Sequence, residues 1–407
     1  MFFSASPKSH PWIASLYFFQ SMPYVVVTLI ATIMYQQYGM TNTQTAFLTS
    51  LFMLPWTIKP LFAPFLENLG TKKKLTLYTQ ATVTLLFIIL AFCVENPNFL
   101  VISSLSFAAL AFISSLHDIV SDGIYLLNLN SEEQKRYVSL RSFFYQMGRL
   151  IIKGGLLAFI GSLALNYELK VWPMFFFSLF AIGFVLTLYH KARIPEAQTK
   201  QETINPNYRQ VFKTLLFNTA LYPILFFIFL YNFSEAQMQK IIPLFLLDKG
   251  GLGFNLYQVG QLYGISGSIS LMLGIFASGW LITHFLLEKC LKNVTILLLL
   301  GHSLYFLFPL FHANTPLLYL VILLNQFSVG LANGTYMGYL LKVANESDYP
   351  MSMYTVCTSL MALSYVLFGA LSGWIEHLLG YSGFFLYIFA ANTVLVIITC
   401  SVMNKYD

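Results

Sequence analysis

Two aspartates and three basic residues stand in stretches otherwise built of apolar side chains. Asp118 and Asp122 lie within Ala108–Leu129, and Arg141, Arg149 and Lys153 lie within Tyr137–Leu165. A charge at bilayer depth costs about 2.5–3.5 kcal/mol on insertion scales, and it is kept where it meets a partner or a water-filled cavity. Asp118 and Asp122 are four residues apart and so share a helix face. Arg141, Tyr145, Arg149 and Lys153 recur at intervals of four, a stripe rising ~18 Å along a helix. The chemistry on offer is proton transfer by carboxylates and capture of an anion by fixed cations.

Depth sorts these groups. The two charged runs fold back on each other near Ser131, and Asp122 and Arg141 are about equally far from that fold. They are expected to pair, as a structural lock or as a gate, and Arg141 is also a candidate substrate ligand. Arg149 and Lys153 lie deeper with no carboxylate at their level. They are expected to hold anionic groups of a substrate, which guanidinium grips in a bidentate manner. Asp118 is the candidate proton carrier. Neighbouring His117 is either a proton-coupling group or a hydrogen-bonded packing residue. A second patch holds Glu235 and Lys240, with Asn232 before them and Pro243 after. Five residues apart, they stand about 140° apart on a regular helix, so pairing needs a break in the helix. Glu235 is expected to face the cavity and take part in proton coupling, and Lys240 to bind substrate. Tyr17, Tyr24, Tyr145 and Tyr231 are expected near the same pocket. Lys59, beside Pro60, is expected to snorkel to the membrane surface.

The chain around these groups is a membrane chain. Of 407 residues, 57% are hydrophobic and 9% charged, against about 25% charged in soluble proteins. A spanning helix needs about 20 apolar residues, and twelve such runs can be drawn, the first at Pro11–Gln36 and the last at Tyr381–Met403. Met1–Pro11 shows no cleavage signature, so the first run is expected to be retained. With both termini cytoplasmic, fifteen Lys and Arg fall on the inner side and two, Lys170 and Lys249, on the outer, as the positive-inside rule requires. The net charge of +6 therefore reflects topology and not a nucleic-acid footprint. Cys93, Cys290, Cys357 and Cys400 show no metal or disulfide spacing. The motifs of nucleophilic, metal and phosphate-loop enzymes are absent, so an enzyme, for instance an acyl transferase with His117 as base, is the weak alternative.

The longest polar connection, 190–210, divides the runs six and six. The expected units are 1–190, a cytoplasmic linker 191–210, and 211–407. The halves echo each other at an offset of 215: Phe112, Leu116, Asp118, Gly123 and Leu126 meet Phe327, Leu331, Asn333, Gly338 and Leu341. The charges are missing from the second copy, where Asp122 meets Met337 and Arg149 meets Ser364. Paired six-helix bundles around a midplane site are what alternating access requires. Gly260, Gly264 and Gly267 are spaced for close helix approach.

Glu67-Asn68-Leu69-Gly70-Thr71-Lys72-Lys73 resembles the acidic–x–x–Gly–x–basic signature of the major facilitator superfamily. That resemblance implies a twelve-helix fold with Glu67 and Lys72 in a cytoplasmic gate. Within the superfamily the chain resembles the AmpG-like permeases over most of its length. Lys59-Pro60-Leu61-Phe62-Ala63-Pro64, His117-Asp118-Ile119-Val120-Ser121-Asp122-Gly123 and Leu230-Tyr231-Asn232-Phe233-Ser234-Glu235-Ala236 carry the likeness, with Glu132-Glu133, Arg136, Tyr145, Gly148 and Gly154-Gly155 in register. Asn232 stands where the family has lysine, and Gln146 where some members have arginine. The resemblance implies a monomeric, multi-pass inner-membrane protein whose partners are a small-molecule substrate, protons and lipid. It implies proton-driven import of a bulky anionic or polar solute such as a muropeptide, with ferric siderophores or acetyl-CoA as the substrates of related branches.

Overall fold

The computed structural model describes residues 10–67, 71–94, 96–129, 131–167, 170–196, 219–307, 315–347 and 350–404. Within them the chain is helical throughout. We number its elements α1 (Pro11–Gln37), α2 (42–67), α3 (Lys72–Cys93), α4 (Phe99–Asn128), α5 (131–167), α6 (Val171–Arg193), α7 (222–247), α8 (Leu256–His284), α9 (Leu287–Leu307), α10 (Thr315–Asn345), α11 (350–379) and α12 (381–403). Nine continuous helical stretches among the described residues are long and apolar enough to cross a membrane. One of these, Met353–Met403, runs through the reversal at Gly380, whose φ of 66° only glycine adopts without strain.

Two elements are broken for reasons written in their residues. In α2, three helical pieces, Asn42–Leu51, Leu54–Thr57 and Lys59–Glu67, follow one another. Pro55 and Pro60 lack the amide proton that would continue the ladder. In α7, Tyr222–Tyr231 and Phe233–Leu247 meet at Asn232, whose ψ of 11° leaves the helical basin. The seventh helix runs on to Leu247, past the Gln237 at which the pattern of the apolar run ends it. Residues 197–218, most of the expected linker and the start of that run, lie outside the described residues.

Wide π-helical turns occupy 26–30 of α1, 151–156 of α5 and 260–266 of α8, a local form often found at functional sites. The last two face each other. A Cβ on Gly154 would sit 2.8 Å from the backbone carbon of Gly264, and one on Gly260 would sit 2.6 Å from the backbone nitrogen of Ala158. Gly260 and Gly264 thus serve close packing against α5, whereas Gly267 faces Gln326 of α10. At this end α1–α6 and α7–α12 are also tied by hydrogen bonds. Asn42 Nδ2 donates to Glu376 Oε2 at 3.0 Å and to the Tyr381 hydroxyl at 2.9 Å; that hydroxyl donates to Asp248 Oδ2 at 2.8 Å. Thr43 Oγ1 donates to the Gly373 carbonyl at 3.0 Å. The largest apolar core draws residues from both sets of elements, whereas smaller cores belong to one set alone.

Candidate functional site

Toward the opposite end, α5 and α8 part and a cavity of about 550 Å³ lies between the two sets of elements. Tyr24 of α1 and Tyr145, Gln146 and Arg149 of α5 form one wall. Gln239 of α7, Asn333 and Tyr336 of α10 and Tyr365 of α11 contribute to the other, with an apolar flank from α8. The α5 wall is held by Gly148, where any Cβ would collide with Ser21 Oγ of α1. This volume suits a substantial organic solute.

Arg149 is the cation of the cavity. Its Nη1 donates to Gln146 Oε1 at 3.3 Å, its guanidinium lies 5.8 Å from the Tyr24 ring centre, and its buried Nε has no hydrogen-bond partner. Among the described residues no carboxylate reaches ion-pair distance of it. Gln146 thus serves as a support for the arginine found one turn later. Lys153 departs from expectation. It sits in the wide turn of α5, 5% exposed, with Nζ 4.9 Å from the Tyr263 ring centre, and it is not among the cavity-lining residues. The close α5–α8 contact drives its side chain under Tyr263 instead of into the open space.

The depth-matched pair is present: Arg141 Nη1 lies 3.4 Å from Asp122 Oδ1. Tyr17 donates to the same oxygen at 2.8 Å, and the guanidinium stacks 4.6 Å from the Tyr17 ring centre and 5.4 Å from that of Tyr125. With its charge engaged by Asp122 and two rings, Arg141 does not line the cavity. Both side chains are about one-third exposed. Asp122→Asn and Arg141→Gln should each slow uptake. In a double-mutant cycle on stability the pair should show a coupling of ~0.5–1 kcal/mol; additive changes would mean that the contact carries no energy.

Asp118 is enclosed by three side chains from α1 and α2. Gln20 Nε2 of α1 donates to Oδ1 at 2.7 Å, Trp56 Nε1 of α2 donates to Oδ2 at 3.1 Å, and Lys59 Nζ lies 3.6 Å from Oδ2. Lys59 therefore does not snorkel to the surface, because the proline breaks in α2 turn it toward this carboxylate. Adjacent His117 faces the other way. It is fully buried, receives Gln80 Nε2 at 3.1 Å and contacts Ser121 Oγ at 3.3 Å, while Gln80 Oε1 meets His190 Nδ1 at 2.9 Å. Successive helical residues project about 100° apart, so His117 belongs to the α3–α4–α6 packing and not to the site of Asp118.

Lys240 is likewise diverted. Its Nζ donates to Thr49 Oγ1 at 3.0 Å and reaches the Thr28 carbonyl at 3.4 Å, joining α7 to α2 and α1 beyond the cavity. The break at Asn232 leaves it on the face toward those helices, so it neither pairs with Glu235 nor replaces the family lysine. Glu235 lies in the first turn after the break, where the helix N-terminus favours a negative charge. It borders a small recess with Tyr231, Asn232 and Asn333, and Asn333 also lines the cavity. Tyr231 does not line the cavity. It stacks on Tyr336 at 4.5 Å with the planes 3° apart, and Tyr336 covers it. Lys72 Nζ donates to the Leu66 carbonyl, and its chain covers Gly123. The side chain of Glu67 and residues 68–70, the rest of the expected gate, lie outside the described residues.

The sequence pattern missed the partner of Glu235. His302 Nε2 of α9 lies 3.1 Å from Glu235 Oε2, and Asn392 Nδ2 of α12 lies 2.8 Å from His302 Nδ1. A polar pair within the apolar run Leu297–Phe306 was the available signal.

The model of the Major Facilitator Superfamily matches residues 13–366. The chain belongs to the major facilitator superfamily. It is thus a multi-pass membrane transporter. Among curated superfamily relatives, the putative transporter AmpG 1 of Rickettsia bellii is 24% identical, with 89% of this chain and 90% of that protein covered. The anhydromuropeptide permease of Escherichia coli K12 is 22% identical, with 88% and 72% covered. Solved structures of the nucleoside transporter NupG (TM-score 0.72, 14% identity, 98% and 99% covered) and of a D-xylose-proton symporter (0.69, 12%, 95% and 95%) share the fold.

Proposed function

We propose that this transporter imports a bulky anionic or polar solute across the inner membrane together with protons, and that the solute is of the muropeptide class. Twelve spans in two six-helix units, 1–190 and 211–407, with both termini cytoplasmic, frame the cycle. The contacts among Asn42, Glu376 and Tyr381 then close the outer side, and the cavity faces the cytoplasm. Arg149 grips the anion, Tyr24, Tyr145 and Tyr365 offer faces and hydroxyls, and Gln239 and Asn333 offer amides. Asp122 and Arg141 act at the cytoplasmic gate.

The observation that carries this reading is a solute-sized cavity holding a guanidinium with a buried, unpartnered N–H. Such a donor costs free energy until something accepts from it. The curated relative named as an anhydromuropeptide permease supports the choice of solute. The test is competition in vesicles, with labelled anhydro-muropeptide as probe and unlabelled anhydro-muropeptide, a ferric siderophore and acetyl-CoA as competitors. Self-competition with the label recovered unaltered inside supports the reading. Competition by the siderophore or acetyl-CoA alone reassigns the substrate, and a chemically altered label indicates an enzyme.

A further inference from the structure

Glu235, His302 and Asn392 come from α7, α9 and α12 and are 9%, 1% and 1% exposed. Their contacts set the proton inventory. Asn392 turns its amide nitrogen, a donor only, to His302 Nδ1. Nδ1 therefore accepts, and the ring proton sits on Nε2, aimed at Glu235 Oε2. The triad is joined by two contacts of hydrogen-bond length, one on each ring nitrogen.

Now add one proton. On His302 Nδ1 it creates a second N–H, and a half-turn of the Asn392 amide presents Oδ1 to receive it. Nε2–H still faces the carboxylate, and the bond becomes charge-assisted at both ends. The triad therefore satisfies its hydrogen bonds both with and without the extra proton. Asp118 differs, because both its oxygens already accept from Gln20 and Trp56 and Lys59 stands beside them, so a proton there must displace a donor. Asn333 stands between the Glu235 recess and the cavity and lines both.

We propose that His302 holds the coupled proton of the transport cycle, that Glu235 stabilises the charged ring, and that Asn392 is a positioning residue which makes either protonation state acceptable. This rests on the proton-coupled reading above. The added proton binds the Nδ1 lone pair as the Asn392 amide turns, Nε2–H stays on Glu235, and release reverses the step, with no bond to carbon made or broken.

The test is uptake of labelled anhydro-muropeptide into proteoliposomes, with the interior more alkaline than the exterior, beside counterflow of the same label without a pH gradient. His302→Gln should lower gradient-driven accumulation at least ~10-fold while counterflow remains measurable, as expected for loss of a proton-relay group inside the membrane. Asn392→Leu removes the acceptor of the charged N–H. Because charge-assisted bonds are about twice as strong as neutral ones, the pH of half-maximal uptake should fall by roughly one unit. Asn392→Asp supplies a charged acceptor and should raise it. A role in packing alone moves neither midpoint, or lowers the rate in both variants without a shift. Full accumulation by His302→Gln, or unshifted profiles in both Asn392 variants, overturns the proposal. If His302→Gln fails to assemble, the opposed shifts of the Asn392 variants decide. Wild-type uptake indifferent to the gradient overturns proton coupling itself, which separates that failure from a misplaced proton site.

Discussion

Arg149→Gln is expected to weaken binding of the transported anion by roughly 10–100-fold, the equivalent of ~1.5–3 kcal/mol for a hydrogen bond to a charged group. Folding should suffer far less. The guanidinium faces the cavity, its Nε is unpartnered, and its support consists of one bond to Gln146 and the Tyr24 ring. Removing it leaves no acid stranded, because no described carboxylate is paired with it. Arg149→Lys should recover part of the affinity, since a point charge keeps the attraction but loses the fork. Equilibrium binding to purified protein beside thermal unfolding separates the two effects. Unchanged affinity in Arg149→Gln would remove this residue from the site.

Asp118→Asn is expected to lower accumulation against a gradient by ~10-fold or more while leaving exchange measurable, because an intramembrane carboxylate is kept where the transport cycle depends on it. The substitution trades an oxygen acceptor for an amide donor at a place where Gln20, Trp56 and Lys59 all present donors. It strands the Lys59 ammonium and loosens the tie among α1, α2 and α4. Accumulation by the variant equal to wild type would remove Asp118 from the transport cycle.

What the residues disclosed on their own was mostly local. The i, i+4 spacing of Asp118 and Asp122, and the equal distance of Asp122 and Arg141 from the fold near Ser131, placed a contact that the structure contains at 3.4 Å. Superfamily and helical class were legible because apolar run length and the loop signature are properties of contiguous chain. Side-chain direction was less so. His117 and Asp118 are neighbours in sequence and face different helices. Lys153 and Lys240 were assigned to the cavity because both are charges at depth, but local geometry redirected them: a wide turn pressed against α8 for one, a break at Asn232 for the other. Lys59 was expected at the surface because the proline breaks that turn it to Asp118 could not be oriented from spacing. The Glu235–His302–Asn392 triad joins residues 67 and 90 positions apart, and no periodicity reports such a meeting. Its signal was one of composition, a histidine and an asparagine inside apolar runs. At an offset of 215 Asn333 falls opposite Asp118, and it lines both the cavity and the recess. The echo between the halves thus marked a position in the site that lacked a charge to draw notice.

The central claim is that solute moves inward with protons through the cavity of Arg149. Its most direct test is the steady-state ratio of labelled anhydro-muropeptide inside to outside proteoliposomes whose interior is the more alkaline. The account predicts accumulation above the external concentration, collapse when a protonophore is added, and loss in Arg149→Gln at limiting solute. Equilibration to equal concentrations with no response to the protonophore would contradict it.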